Sequence, residues 1–251
     1  NSSMLKGAQL SGGSRAVELG LISLRGTKSL ANIMFVLGLL TAAGILYASY
    51  INTGSTSNAY HAAIIALIGV LIGYFYTAKP IRLSSRYGLG EISIFLAFGP
   101  LLTLGTGFAI AAETIIPYSN EFYNLLILGM PIGLLTTNIL FINQYPDYTS
   151  DKKVGKNHLV VLIGKKASRW IYALNFAIAV GSLYFISENI VNDTQGLLFM
   201  YLLIPITMIY SFYLISGLFK YYNSRELIKY NIHTIYFHMF FSFVYMIILA
   251  N

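Results

Sequence analysis

The chain has 251 residues, of which 56% are hydrophobic and only 10% are charged. Soluble domains carry roughly a quarter of charged residues, so this composition excludes a soluble enzyme. The mean hydropathy of +0.67 and several apolar runs of about 20 residues, each long enough to cross a ~30 Å hydrocarbon core, predict a polytopic membrane protein. Because the chain contains no cysteine, disulfides, thiolate nucleophiles and cysteine-ligated metals are excluded as well.

The apolar runs predict seven transmembrane helices. Residues 1–29 are polar and glycine-rich, which indicates a loop, and the runs that follow are 30–51, 59–77, 91–116, 121–143, 169–187, 196–218 and 232–250. Lipid offers no partner for free backbone groups, so runs of this length form helices. Strands of a membrane barrel would alternate in polarity, which run 62–68 does not. We therefore predict an all-α protein with one transmembrane domain over residues 1–251.

The basic residues are segregated in a way that predicts orientation. All 16 lysines and arginines precede the first span or follow the second, fourth and sixth spans. The loops near 52–58, 117–120 and 188–196 contain none. By the positive-inside rule, the N-terminus and the three basic loops are expected in the cytoplasm. Orientation and attraction to anionic lipids explain the net charge of +7, so it requires no nucleic-acid partner.

Amide and acidic residues stand at helical spacing at the end of span four. Asn143, Asp147 and Asp151 are four residues apart, which places them on one helical face. Two carboxylates one turn apart repel each other, and a carboxylate near the membrane is costly, so the pair favours a bound cation. Mg²⁺ is suited to such a site, because it takes one or two carboxylates with phosphate oxygens. Spacing alone leaves open a solvated loop whose acids balance the neighbouring lysines.

Pro146 lies inside this acidic motif. Proline removes a backbone donor and disfavours helical geometry at the residue before it. We therefore expect span four to kink or restart at this residue. A restart would keep Asp147 and Asp151 aligned and loosen their relation to Asn143.

Four segments resemble a known family. The stretch from Asn143 to Gly164, with Asp147, Asp151 and the pair Gly155-Lys156, resembles the second aspartate-rich motif of the UbiA-type intramembrane aromatic prenyltransferase superfamily. Three further segments agree in order: Ser-Gly-Gly-Ser-Arg at 11–15 with Gly-Leu-Ile-Ser at 20–23, Tyr-Thr-Ala-Lys-Pro-Ile-Arg-Leu at 76–83, and Gly-Leu-Gly-Glu at 88–91 with Phe-Gly-Pro-Leu at 98–101. The first and last of these three resemble most the branch that prenylates 1,4-dihydroxy-2-naphthoate in menaquinone synthesis.

The resemblance implies transfer of an isoprenyl chain from a prenyl diphosphate to an aromatic acceptor within the membrane. It implies Mg²⁺ bound by Asp147 and Asp151, with Asn143 as a neutral ligand. We expect this site to lie on the cytoplasmic side of the plasma membrane. The substrate-binding residues that it implies are Arg15, Tyr76, Lys79, Arg82 and Lys156. Other acceptors stay open, namely 4-hydroxybenzoate or a glycerol phosphate lipid precursor, as does a non-catalytic transporter or receptor of seven helices. The sequence predicts no oligomeric state.

The chain departs from the family pattern in three ways. Family members have nine helices and an earlier Asn-Asp-x-x-Asp motif, whereas this chain opens with Asn1-Ser2-Ser3-Met4; we expect it to lack the two N-terminal helices. Pro146 stands where relatives often have arginine. His158 stands where threonine is common, and we expect a structural role for it.

Overall fold

The computed structural model describes residues 20–54, 56–111 and 113–250. This part of the chain is helical, and its one strand-like pairing is a single bridge between Arg86 and Asn157. The helices are α1 (Leu24–Thr53), α2 (Thr56–Thr77), α3 (Leu89–Phe98), α4 (Pro100–Ile110), α5 (Asn120–Lys153), α6 (Leu159–Asn189), α7 (Thr194–Tyr221) and α8 (Leu227–Leu249). Taken together, α3 and α4 form one span, so the described residues contain seven helices long and apolar enough to cross a membrane. The predictions of an all-α fold and seven spans are confirmed.

The third span is broken rather than continuous. Helix α3 ends at Phe98 and α4 begins at Pro100. Proline is well suited to the first turn of a helix, while the residue before it is disfavoured in helical geometry. Gly99 occupies that position, and a Cβ added to it would lie 2.7 Å from the Gly129 carbonyl oxygen on α5. The break therefore lets the third span and α5 approach each other at their backbones.

Helix α5 runs without interruption from Asn120 to Lys153, through both Pro131 and Pro146. The predicted restart at Pro146 is thus wrong. Helices α3, α4, α6 and α8 all pack around α5, and α5 has the largest buried share of the seven spans. Packing on several sides offsets the hydrogen bonds that the prolines remove. As a result, Asn143 keeps its helical relation to the two aspartates.

Helix α6 begins ten residues earlier than the predicted span, at Leu159, and contains a non-helical residue, Gly164, with φ 81° and ψ 154°. Its N-terminus is capped by His158, whose side chain accepts from the Val161 N–H. The positive φ suits glycine, because a side chain would clash with the backbone there. The segment from the end of α5 to the body of α6 is therefore a compact turn, a short helical stretch and a bend.

The main core lies among α5, α6, α7 and α8. Its fully buried members include Phe141, Tyr145, Tyr172, Phe176, Phe237, Phe241 and Tyr245. Two histidines of α8 link it to neighbouring helices: His233 Nδ1 lies 2.7 Å from the Tyr210 hydroxyl of α7, and His238 Nε2 lies 2.8 Å from Thr136 Oγ1 of α5. A second, smaller core joins α2 and α4, whereas α1 presents mostly exposed apolar side chains.

Candidate active site

A cavity of about 510 Å³ lies between the C-terminal half of α5 and α8. Its lining residues are Leu140, Asn143, Gln144, Asp147, Asp151, Lys156, Ile228, Asn231, Ile232 and Ile235. The α5 members stand at positions 140, 143, 144, 147 and 151, which is the spacing of one helical face. The structure therefore brings four predicted site residues together: Asn143, Asp147, Asp151 and Lys156.

Asp151 is held by two donors. Its Oδ2 accepts from Lys156 Nζ at 3.0 Å and lies 3.1 Å from His158 Nε2. His158 Nδ1 accepts from the Val161 N–H at 3.4 Å, so the imidazole proton belongs on Nε2, which then donates to the carboxylate. Burial disfavours the charged ring and lowers the pKa of His158 below its ordinary value, although Asp151 opposes this. His158 thus caps a helix and also orients Asp151.

Asp147 differs from Asp151, because one of its oxygens has no partner. Its Oδ1 is buried and makes no hydrogen bond with any residue in the described ranges. Oε1 of Gln144, one helical turn before Asp147, is likewise buried without a hydrogen bond to any described residue. Unsatisfied buried acceptors are uncommon, because each loses its hydrogen bonds to water without replacement. These two oxygens are therefore candidates for contact with a cation or a donor on a ligand.

The donor set suits a hard divalent cation. Two carboxylates and two amide side chains line one wall of the cavity, and no group of three His, Cys, Asp or Glu side chains within the described residues is arranged to hold a metal. Structural Zn²⁺ takes four Cys, His or carboxylate ligands, whereas Mg²⁺ accepts one or two carboxylates and completes its shell with phosphate and water oxygens. The residues present therefore fit Mg²⁺ with a phosphorylated substrate.

Three polar residues were missed by sequence reasoning. Asn231 of α8 donates from Nδ2 to Asn143 Oδ1, and Gln144 Nε2 donates to Glu91 Oε1 at 2.8 Å. A carboxylate only accepts, which fixes the Gln144 amide with its oxygen directed away from Glu91. Gln144 could have been predicted from the sequence, because it precedes Asp147 by three residues on the same helical face. Asn231 could not have been predicted, since it lies 88 positions from its partner in the chain.

The other predicted substrate-binding residues lie outside the cavity lining. Tyr76 is half-buried at the end of α2, and Lys79 and Arg82 are exposed in the loop that follows. Arg86 Nη2 donates to the Pro80 carbonyl oxygen at 2.7 Å, which closes this loop on itself. Arg15 is outside the described residues.

The loop after α2 is nevertheless close to the site. The Tyr87 N–H donates to the Asn157 carbonyl at 2.8 Å, and the Asn157 N–H donates to the Ser85 carbonyl at 3.1 Å. Asn157 follows Lys156 directly. Backbone hydrogen bonds therefore fasten the end of this loop to the segment that carries the cavity lysine.

The family model described as the UbiA prenyltransferase family matches residues 14–244. Similar curated proteins include the 1,4-dihydroxy-2-naphthoate octaprenyltransferase of Bacillus subtilis, 30% identical over 123 residues, and the 2-carboxy-1,4-naphthoquinone phytyltransferase of Synechocystis sp., 34% identical over 126 residues. Each match covers 49% of this chain and 37% of the relative.

The 1,4-dihydroxy-2-naphthoate octaprenyltransferase of Escherichia coli is 38% identical over 86 residues, which are 34% of this chain and 26% of that protein. The chain thus aligns with well under half the length of these relatives. The comparison with solved structures found no match. The family match, however, covers nearly the whole chain, including its aspartate-rich motif, the first six spans and most of the seventh, and the chain therefore belongs to the UbiA prenyltransferase family.

Proposed function

We propose that this protein transfers an isoprenyl chain from a prenyl diphosphate to an aromatic acceptor within the membrane, with Mg²⁺ as cofactor. The observation that carries the proposal is the pair Asp147 and Asp151 on one face of α5, with Lys156 at the same cavity. Membership of the family supports the reaction class. The names of the similar proteins favour 1,4-dihydroxy-2-naphthoate as the acceptor, and hence menaquinone synthesis.

Each wall of the cavity has a part in this reaction. Asp147 and Asp151, with the amide oxygens of Asn143 and Gln144, would hold the ion, which when bound neutralises charge on the departing diphosphate. Lys156 adds a fixed positive charge where that negative charge grows. On the opposite wall, the α8 side chains Ile228, Ile232 and Ile235 provide an apolar surface for the first isoprene units.

The site belongs at the cytoplasmic surface in this proposal. The segregation of all basic residues to one side supports this orientation, as does the water-soluble diphosphate substrate. We place the protein in the plasma membrane, where a hydrophobic product can leave the cavity sideways into lipid.

The function is tested by an assay of the full-length protein in membrane vesicles. The assay supplies labelled prenyl diphosphate, Mg²⁺ and one acceptor at a time: 1,4-dihydroxy-2-naphthoate, 4-hydroxybenzoate or a glycerol phosphate. We expect a prenylated product with the naphthoate and little with the other two. Transfer to none of the three would contradict the proposal, and transfer to another acceptor alone would change the assigned substrate.

Lys156→Met is expected to lower kcat/KM for the prenyl diphosphate by about ten- to a hundredfold. It removes a partly buried cation that both holds Asp151 and faces the diphosphate, and hydrogen bonds to charged groups contribute roughly 1.5–3 kcal/mol. In this proposal the exposed Lys79 and Arg82 also bind the diphosphate from the loop, so their methionine variants should lose roughly tenfold or less.

Lys153→Met is the matched control for the lysine series, because Lys153 is exposed in the same segment and does not line the cavity. Arg86 is unsuitable as a control, since it holds the Pro80 carbonyl. Equal rates for the Lys156 and Lys153 variants would show that the cavity lysine contributes only to orientation in the membrane.

A further inference from the structure

A second cavity, of about 310 Å³, lies between α3, α5 and α6. Its walls are mainly apolar and include the rings of Phe95 and Phe141. Among its lining residues is one carboxylate, Glu91, which is only 5% exposed. The motif Gly-Leu-Gly-Glu ends with this residue, whose only part at the first cavity is to orient the Gln144 amide through Oε1.

The Glu91 carboxylate uses only one of its two oxygens. Oε1 accepts from Gln144 Nε2 at 2.8 Å and from the Leu159 N–H, at the start of α6, at 3.0 Å. Oε2 is buried and makes no hydrogen bond with any residue of the described ranges. A link between helices α3, α5 and α6 requires Oε1 alone. The second oxygen is therefore unexplained by the fold.

The two cavities are neighbours around α5. At 100° per residue, the α5 residues of the second cavity lie about a quarter turn from those of the first. Thr137 and Phe141 belong to the second cavity, whereas Asp147 belongs to the first. Gln144 lines the first cavity and bonds to Glu91 of the second. This hydrogen bond therefore lies at the boundary between a phosphate-binding cavity and an aromatic one.

We propose that the second cavity binds the aromatic acceptor and that Glu91 Oε2 accepts a hydrogen bond from a hydroxyl on its ring. This inference rests on the proposed function, since it names the acceptor side of the same reaction. Aromatic walls suit a flat ring, and a buried carboxylate oxygen without a donor suits a phenolic O–H. A prenyl tail has no donor to offer. Oε2 is fully covered in this structure, so the hydroxyl takes the place of atoms now packed against it.

The alternative is that Glu91 is only a link between helices, and Glu91→Gln separates the two roles. The glutamine oxygen still accepts from Gln144 and from the Leu159 N–H, so the link is preserved. The amide nitrogen replaces Oε2 and donates rather than accepts. A structural role predicts a silent variant, whereas acceptor binding predicts a specific defect.

The experiment compares 1,4-dihydroxy-2-naphthoate with its two monomethyl ethers as acceptors for the full-length protein in vesicles. With the unmodified protein, we expect one ether to lose about tenfold or more in kcat/KM, because a site built around a hydroxyl rejects an analogue that lacks it. In Glu91→Gln, KM for the naphthoate should rise about tenfold. The kcat/KM for the naphthoate should then exceed that for the ether by about threefold or less. KM for the prenyl diphosphate should stay within about twofold of the original value.

The matched control is Glu121→Gln, the same substitution on an exposed residue in the first turn of α5. It should change neither KM for the naphthoate nor the discrimination against the ether. If Glu91→Gln keeps the original acceptor KM and ether discrimination, the inference is overturned. It is also overturned if the unmodified protein accepts both ethers as well as the naphthoate, a result that does not depend on folding of the variant. If the unmodified protein prenylates no aromatic acceptor, the proposed function itself fails, and this outcome is distinct from the other two.

Discussion

Asp147→Asn and Asp151→Asn are each expected to reduce kcat/KM for the prenyl diphosphate by more than about a hundredfold, while folded protein stays in the membrane. Each change removes an anionic oxygen from the proposed Mg²⁺ site and keeps nearly the same side-chain volume. Removing one of two like charges a turn apart also relieves repulsion within α5. We therefore expect the thermal stability of metal-free Asp147→Asn to equal or exceed that of the unmodified protein, whereas Asp151→Asn also weakens the bonds to Lys156 and His158 and should be no more stable than the unmodified protein.

A binding measurement separates loss of the ion from loss of the fold. A ligand that binds only the folded state raises its melting temperature, so Mg²⁺ with prenyl diphosphate should stabilise the unmodified protein in detergent. The same addition should have little effect on either variant. Near-original turnover in both single variants would remove the metal site from the proposal. Loss of folded protein in both would show that the carboxylates serve the fold.

The sequence was sufficient for the spans because hydropathy and charge segregation are averaged over many residues. The pair Asp147 and Asp151 was predictable for a related reason, since spacing within one helix fixes relative position. The predicted restart at Pro146 was wrong, because a local rule for proline ignores the packing that surrounds α5. Burial on several sides outweighed the lost hydrogen bond, and such burial is a property of the whole bundle.

The remainder of the site depends on contacts distant in sequence. Asn231 meets Asn143 from 88 positions away, and Glu91 meets Gln144 from 53 positions away. No periodicity connects such pairs, so only the assembled helices reveal them. The exposed positions of Lys79 and Arg82 are likewise set by the backbone of their loop. Motif resemblance selected them together with Lys156, whereas the structure distinguishes one cavity lysine from two loop cations.

The largest expected effect on stability is at the contact between α5 and the break in the third span. Gly129 and Gly133 are four residues apart on one face of α5, where small residues allow helix backbones to approach closely. A Cβ on Gly129 would lie 2.5 Å from the Gly99 carbonyl carbon, and one on Gly133 would lie 2.6 Å from the Phe95 carbonyl oxygen. These neighbours are backbone atoms, so relief requires movement of whole helices.

Gly129→Ala is therefore expected to lower the free energy of unfolding by roughly 1–3 kcal/mol or more, through overpacking. The intrinsic preference of helices for alanine over glycine returns only about 1 kcal/mol. A larger change, Gly129→Val, should prevent accumulation of folded protein. The measurements are the melting temperature in detergent for the alanine variant and the yield of monodisperse protein for the valine variant.

Gly181→Ala provides the matched control for Gly129→Ala. Gly181 also lies within a long membrane helix, α6, and a Cβ added there meets no atom within 4 Å. This variant gains the helical preference without the clash, so its melting temperature should stay the same or rise slightly. If Gly129→Ala proved as stable as Gly181→Ala, the close approach of α5 to Gly99 would be wrong. The position of α3, and with it the placement of Glu91 beside Gln144, would then need revision, because the same helix contact fixes both.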